Sequence, residues 1–240
     1  MRIIIITQNE PFYLARNLDF LFKNLPQNIS IVGVCLTNAS PYGKKESFIK
    51  KTFKILKIFG FKFFIYYSFQ YLKKFFDNSK DVKRVLKKYK INEIILKSSI
   101  NTKDSIEKIS SYDPDLIISI LGNEIFKKEI IKLPKIGLIN LHSSLLPKYR
   151  GLMPTFWVLK NNEKETGVSV FFVDEGIDSG PILVQRKIPI KNYSHRDLIF
   201  ITKKIGMELI LIVLKNFIEK EKISLLENSD EYMTYYSFPK

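Results

Sequence analysis

The chain has 240 residues, 45% of them hydrophobic and 26% charged, a balance that supports one large domain with a sizeable core and excludes a disordered segment. A single cysteine, Cys35, excludes an internal disulfide framework and a cysteine-built zinc site, and the two histidines, His142 and His195, offer little to a histidine metal centre, so no metal is expected. The formal charge of +15 is concentrated, with 15 Lys and Arg against three acids (Glu46, Asp77, Asp81) in residues 41–90, a field that suits a polyanionic partner or is simply a solvated lysine face.

Arg2–Thr7 is a continuous apolar run that reads as a buried strand, too short for a signal-peptide core. No run of 18 uncharged apolar residues occurs, so a cytoplasmic location is the default expectation. After the polar loop Gln8-Asn9-Glu10-Pro11, Leu14, Leu18, Leu21 and Leu25 recur at helical spacing across Phe12–Leu25, and Pro26 closes the unit. Ile29–Leu36 is β-branched and predicts a second strand. Strand, helix, strand at this length makes a βαβ unit, hence a parallel sheet in an α/β fold. The turn after the first strand lacks the Gly-x-Gly-x-x-Gly dinucleotide pattern.

Residues 44–90 interrupt the alternation as an insert crowded with lysines and aromatics. Phe48–Phe76 predicts two helices broken near Gly60, suited to a partner surface, to the chain's own sheet or to peripheral contact with an anionic membrane. Lys80–Lys90 continues as a basic helix, and Glu93–Lys97 predicts a short strand. Then follow a helix at Lys103–Ser111, a turn at Asp113-Pro114-Asp115, a strand at Leu116–Leu121, a helix at Glu124–Ile131 and a strand at Ile136–Leu141. Gly167–Val173 and Pro181–Ile190 are strands around the tight loop Asp174–Gly180. A long helix begins at Ser194 or Asp197 and runs to about Lys220, and the tail Ile223–Lys240 reads as irregular.

Three polar side chains stand out. Asn140 and His142 lie two apart at the end of a buried strand, so they point to the same side, at the sheet edge where open parallel α/β folds carry ligands. Asp178 sits in a glycine-flanked loop that a later strand brings back. A neutral imidazole exchanges a proton near pH 7, a carboxylate beside it shares that proton, and a carboxamide N–H donates to a developing oxyanion. The set suits acyl transfer without an enzyme-borne nucleophile; the residues alone are equally compatible with structural roles at a strand end and a turn.

The stretch Gly137–Gly151, G-L-I-N-L-H-S-S-L-L-P-K-Y-R-G, followed from Thr166 to Leu183 by T-G-V-S-V-F-F-V-D-E-G-I-D-S-G-P-I-L, closely resembles the 10-formyltetrahydrofolate-dependent formyltransferases. The resemblance is strong from about Asp113 to Ile190. It implies a Rossmann-like formyltransferase fold, a mostly parallel sheet flanked by helices, over residues 1–190, with a short C-terminal helical extension over 191–240. By resemblance, Asn140, His142 and Asp178 take the three catalytic positions. The co-substrate 10-formyltetrahydrofolate is expected near Leu121, Asn123, Glu124, Ile125, Asp174 and Asp178, with no metal. Asn140 and His142 would stabilise the oxyanion, while Asp178 would hold His142 and help relay the amine proton.

Three branches of the family differ in the amine that they formylate. The ribonucleotide branch carries a Gly-Ser-rich phosphate loop after the first strand, where this chain has Gln8-Asn9-Glu10-Pro11, and proline in the place of Arg150. The methionyl-tRNA branch shares Arg150-Gly151 and suits a basic patch, but carries a C-terminal barrel for which the residues after Ile190 leave no room; the basic stretch holds only one arginine, Arg84, so nucleic acid is disfavoured. The sugar N-formyltransferases are similar in Pro154-Thr155-Phe156-Trp157 and in the ending Tyr235-Tyr236-Ser237-Phe238-Pro239. This third resemblance implies a nucleotide-linked amino sugar of the 4-amino-4,6-dideoxyhexose type as partner, for O-antigen or other surface polysaccharide. It also implies substrate contacts from Gln8, Asn9, Pro11, Phe12, Arg150 and Trp157, and a homodimer burying Ile205–Phe217. Core packing is the alternative for Trp157, and a formyltetrahydrofolate hydrolase or binding module is the alternative for the chain.

Overall fold

The computed structural model describes residues 1–10, 12–37, 81–122, 124–221 and 223–239, with isolated positions between 53 and 69. The expected pair of helices at Phe48–Phe76 therefore lies outside the described residues. Elsewhere the isoleucine run becomes β1 (Arg2–Gln8), followed by helix α1 (Leu14–Lys23) and β2 (Ser30–Thr37). Next come α2 (Val82–Lys88), α3 (Lys103–Ser110), β3 (Leu116–Ile120), α4 (Lys128–Ile131) and β4 (Gly137–His142). The two-residue β5 (Arg150–Gly151), α5 (Pro154–Lys160), β6 (Glu165–Phe172), β7 (Ile182–Pro189) and the long α6 (His195–Glu219) follow.

The main sheet runs β2-β1-β3-β4-β6-β7. Its first four strands are parallel, while β6 pairs antiparallel with β4, and β7 with β6. Central parallel strands are covered on both faces, which is why β1 needs no polar alternation. Ile3 and Ile5 point to one layer, with Leu14 and Leu18 of α1, Val85 of α2 and Met207, Ile210 and Val213 of α6. Ile4 and Ile6 point to the other, with Cys35, Ile109 of α3 and Ile130 of α4. Each of these isoleucines is buried, worth roughly 2 kcal/mol in transfer free energy. Burial also pushes the Cys35 thiol up to about 12 and leaves it unreactive.

Four elements depart from the sequence reading. Glu93–Lys97 reduces to a single bridge between Glu93 and Val34, and Gly33 on β2 leaves room for the Ile94 side chain. The expected helix Glu124–Ile131 is only the four-residue α4, because Glu124 is drawn aside to accept from Ser99 Oγ and from the Ile100 amide. The tail is not irregular throughout: a 3-10 turn at Asp230–Tyr232 leads to β8 (Tyr235–Tyr236), which pairs in parallel with β5. Part of the Ile205–Phe217 face of α6, expected to be buried in a homodimer, packs within the chain: Ile210 and Val213 are buried in the core, and Ile205 and Phe217 are partly buried against it. Gly206 allows that close packing, since a side chain there would meet Leu141 Cδ2 at 2.6 Å.

Candidate active site

A cleft of about 470 Å³ opens at the C-terminal ends of β1, β3 and β4, beneath the first two turns of α6. This is the edge expected for a ligand in a sheet of this type. β4 delivers Asn140 and His142 to it, and the loop between β6 and β7 delivers Asp178. The three residues therefore share one cavity.

His142 is buried, 5% exposed. Its Nε2 lies 2.7 Å from the Tyr149 carbonyl, which can only accept, so the hydrogen-bond network assigns the ring proton to Nε2. Nδ1 then faces Asp178 Oδ2 across 3.6 Å, too long for a direct hydrogen bond and short enough for the carboxylate to stabilise a proton arriving on Nδ1. Asp178 Oδ2 is held by the Gly151 amide at 2.8 Å. Gly151 has φ +96°, and a side chain on it would meet the Tyr236 carbonyl at 2.3 Å, so only glycine fits the turn that presents this amide. Asp178 itself is left-handed, φ 50°, and so are Leu121, Tyr149 and Met153 around the cleft. Such residues cost about 1–3 kcal/mol each and persist where their surroundings hold them. Here Asn228 does so, donating Nδ2 to the carbonyls of Asp178 at 2.9 Å and Gly180 at 2.8 Å. The carboxamide of Asn140 makes no hydrogen bond among the described residues and faces the cavity, free to donate.

One wall is apolar: Leu121, Ile125, Phe126, Val173 and Ile177 line it, with Gly122 at its turn. Ser119 Oγ, at the end of β3, is buried there without a hydrogen-bond partner. A flat slot with an unspent polar atom fits a heteroaromatic ring, so the residues present fit a pteridine on this side. Glu124 lines the same wall. Asp174 does not line the cleft; its Oδ1 accepts from the Gly176 amide and Ser179 Oγ and shapes the loop. Asn123 lies outside the described residues.

Toward β1 and α1, Gln8 lines the cleft and reaches the apolar wall, its Nε2 donating to the Leu121 carbonyl at 2.5 Å. Asn9 and Phe12 do not line it, and Pro11 lies outside the described residues. Arg150 is turned away: buried, it donates to Asp230 Oδ1 at 2.6 Å and to the Asn228 carbonyl at 2.9 Å, tying the tail to β5. Trp157 packs on the same tail, stacked on Tyr236 at 4.9 Å with its Nε1 donated to the Ser237 carbonyl. Phe238, beyond it, reaches the cleft.

Three side chains on this side carried no motif. His195, at the start of α6, lies 3.2 Å from Thr155 Oγ1, and burial lowers its pKa to about 4, so it is neutral at pH 7. Glu10 turns its carboxylate onto the start of α1, accepting from the amides of Phe12, Tyr13 and Leu14 at 2.6, 2.9 and 3.1 Å. It thereby fills the anion site that a helix N-terminus offers, while burial raises its pKa. Lys203 of α6, 8% exposed, has its pKa lowered by burial to about 8, against the attraction of Glu10. No sequence signal sets Glu10 or Lys203 apart from the other residues of a polar loop and of a helix with several lysines.

No helix among the described residues is long and apolar enough to cross a membrane, and no group of three His, Cys, Asp or Glu side chains among them is placed to hold a metal.

Residues 72–210, more than half of the chain, match the formyl transferase family. A methionyl-tRNA formyltransferase from Syntrophomonas wolfei is 34% identical over 155 residues, 64% of this chain and 49% of the relative. The chain spans about half the length, or less, of the curated relatives it matches. In fold it is similar to WlaRD, a sugar 3N-formyl transferase solved with dTDP and 5-N-formyl-THF, with a TM-score of 0.62 and 22% identity over 99% of this chain and 69% of that one. It is similar also to a phosphoribosylglycinamide formyltransferase from Anaplasma phagocytophilum, with a TM-score of 0.67 and 16% identity over 99% and 98%.

Proposed function

The chain belongs to the formyl transferase family, and from that premise we propose that it moves a formyl group from 10-formyltetrahydrofolate to the amine of a nucleotide-linked amino sugar. The observation that carries the transfer is the convergence of Asn140, His142 and Asp178 on one cleft whose other wall is an apolar slot. The folate supplies an activated formyl carbon; the chain's residues do the rest. Asn140 Nδ2, unspent, donates to the formyl oxygen as negative charge develops on it, a contribution that is larger in a site shielded from water. His142 keeps Nε2–H on the Tyr149 carbonyl, so Nδ1 is the atom that takes the proton leaving the attacking amine, Asp178 Oδ2 stabilises it there, and the same proton passes to the donor's leaving nitrogen as its bond to the formyl carbon breaks.

The start of α1 counts against one alternative acceptor. Its amide donors are taken by Glu10, so a substrate phosphate gains nothing there and meets a carboxylate instead, which counts against a ribonucleotide seated on that helix. Methionyl-tRNA is the second reading, favoured by the relative from S. wolfei. With the sugar reading go a cytoplasmic location, a role in surface polysaccharide synthesis and a homodimer.

The test is direct: purified protein, 10-formyltetrahydrofolate and, in parallel, dTDP-, UDP- and GDP-linked amino sugars and charged initiator tRNA, each followed by the mass gain of one formyl group. A formylated nucleotide sugar is the expected product. Formylated methionyl-tRNA with inert sugars transfers the proposal to the second reading, and formate release alone makes the chain a hydrolase.

A further inference from the structure

Lys203 is a charged residue that lines the cleft from the buried face of α6. More than nine-tenths buried, it faces the cavity from α6, and its ammonium makes no hydrogen bond and no ion pair within 4.0 Å among the described residues. Burying an ammonium is costly unless something meets it. Glu10 faces the same cavity, near enough to act on Lys203 through its charge without touching it. Three of the roughly four lone-pair positions of its carboxylate accept backbone amides. The pair therefore presents to the cleft three unspent donors, about one unspent acceptor and almost no net charge.

We propose that Glu10 and Lys203 form a hydroxyl-reading dyad, in which a ring hydroxyl of the amino sugar accepts from Lys203 Nζ and donates to Glu10. A hydroxyl is the group that uses one of each. A phosphate can use only the donors and is repelled by the carboxylate, while an apolar substituent leaves the ammonium stranded. The dyad comes from the loop after β1 and from α6, whereas the apolar slot comes from the residues after β3 and from the loop between β6 and β7. It thus reads the acceptor and not the formyl donor. This rests on the nucleotide-sugar reading and adds to it the feature by which the sugar is chosen.

The experiment compares dTDP-4-amino-4,6-dideoxyglucose with its 2-deoxy and 3-deoxy analogues, in wild-type protein and in Lys203→Met, with the double variant Glu10→Gln/Lys203→Met as a charge-neutral control for folding. In wild-type protein one of the deoxy analogues is expected to show an acceptor KM raised about 10- to 100-fold, because the dyad is left unpaired. Lys203→Met is expected to raise the KM of the parent sugar by a similar factor, to lose the discrimination against that analogue, and to keep the KM for 10-formyltetrahydrofolate. The double variant is expected to show the same loss of discrimination. If both variants discriminate as the wild type does, or if the loss falls on the folate, the inference is overturned while the transfer reading stands. If the wild type formylates none of the sugars, both are overturned.

Discussion

At the β4 end of the cleft the polar groups are held by neighbours: His142 by Tyr149, Asp178 by Gly151, and the Asp178 backbone by Asn228. At the α1–α6 end, Lys203 is buried beside Glu10 with its donors unspent. The first end is pre-organised, as a site must be if its dipoles are not to reorganise during reaction. The second holds a buried ammonium without a hydrogen bond among the described residues, the arrangement proposed above to select the acceptor. Rate and choice are in this way assigned to different walls of one cavity, which makes the difference between them testable.

The sharpest cut is at the first end. His142→Ala and Asn140→Ala should each lower kcat about 10³-fold with little change in either KM, as steady-state kinetics on the formylated product would show. A fall in acceptor affinity instead of kcat would erase the division of labour. The second end is reached through pH. Lys203 carries a folded-state pKa of about 8 against an ordinary value of 10.5, so between these values the unfolded chain holds a proton that the folded chain has shed. Stability therefore rises with pH across that window, by on the order of 3 kcal/mol, relative to Lys203→Met. Denaturant titrations of both proteins at several pH values check this, and parallel curves would mean that the lysine is not buried as a charge.

Smaller effects test the link between the cleft and its tail. Arg150→Met should cost about 2 kcal/mol in unfolding free energy while leaving the acceptor KM unchanged. A raised KM with normal stability would return Arg150 to the substrate. Asn228→Ala should cost about 1 kcal/mol and lower kcat about tenfold, because Asp178 loses the support of its left-handed backbone. An unchanged kcat would show that Gly151 alone places the carboxylate.

The β4 end was legible in the sequence because its chemistry is local: Asn140 and His142 share a strand, and strand period alone puts them side by side. The core strands were legible for the same reason, since the run Ile3–Ile6 leaves no other reading. What stayed hidden depends on contacts between distant residues. Glu124 reads as a helix former until Ser99 and Ile100 claim its carboxylate. Arg150 reads by resemblance as a substrate contact until Asn228 and Asp230 take its donors. Lys203 reads as one more lysine in a lysine-rich chain, because nothing in its neighbours tells which face of α6 meets Glu10.

The bond from Asn228 to the Asp178 carbonyl spans 50 residues, and that span sets a clock. A ribosome adding 5–20 residues per second reaches Asn228 about 3–10 s after it has made Asp178. Through that interval β1, β3 and β4 have already been made and are free to pair, while Asp178 is still without its clamp. The strand that carries Asn140 and His142 is therefore complete in the nascent chain before the residue that steadies Asp178 has been added.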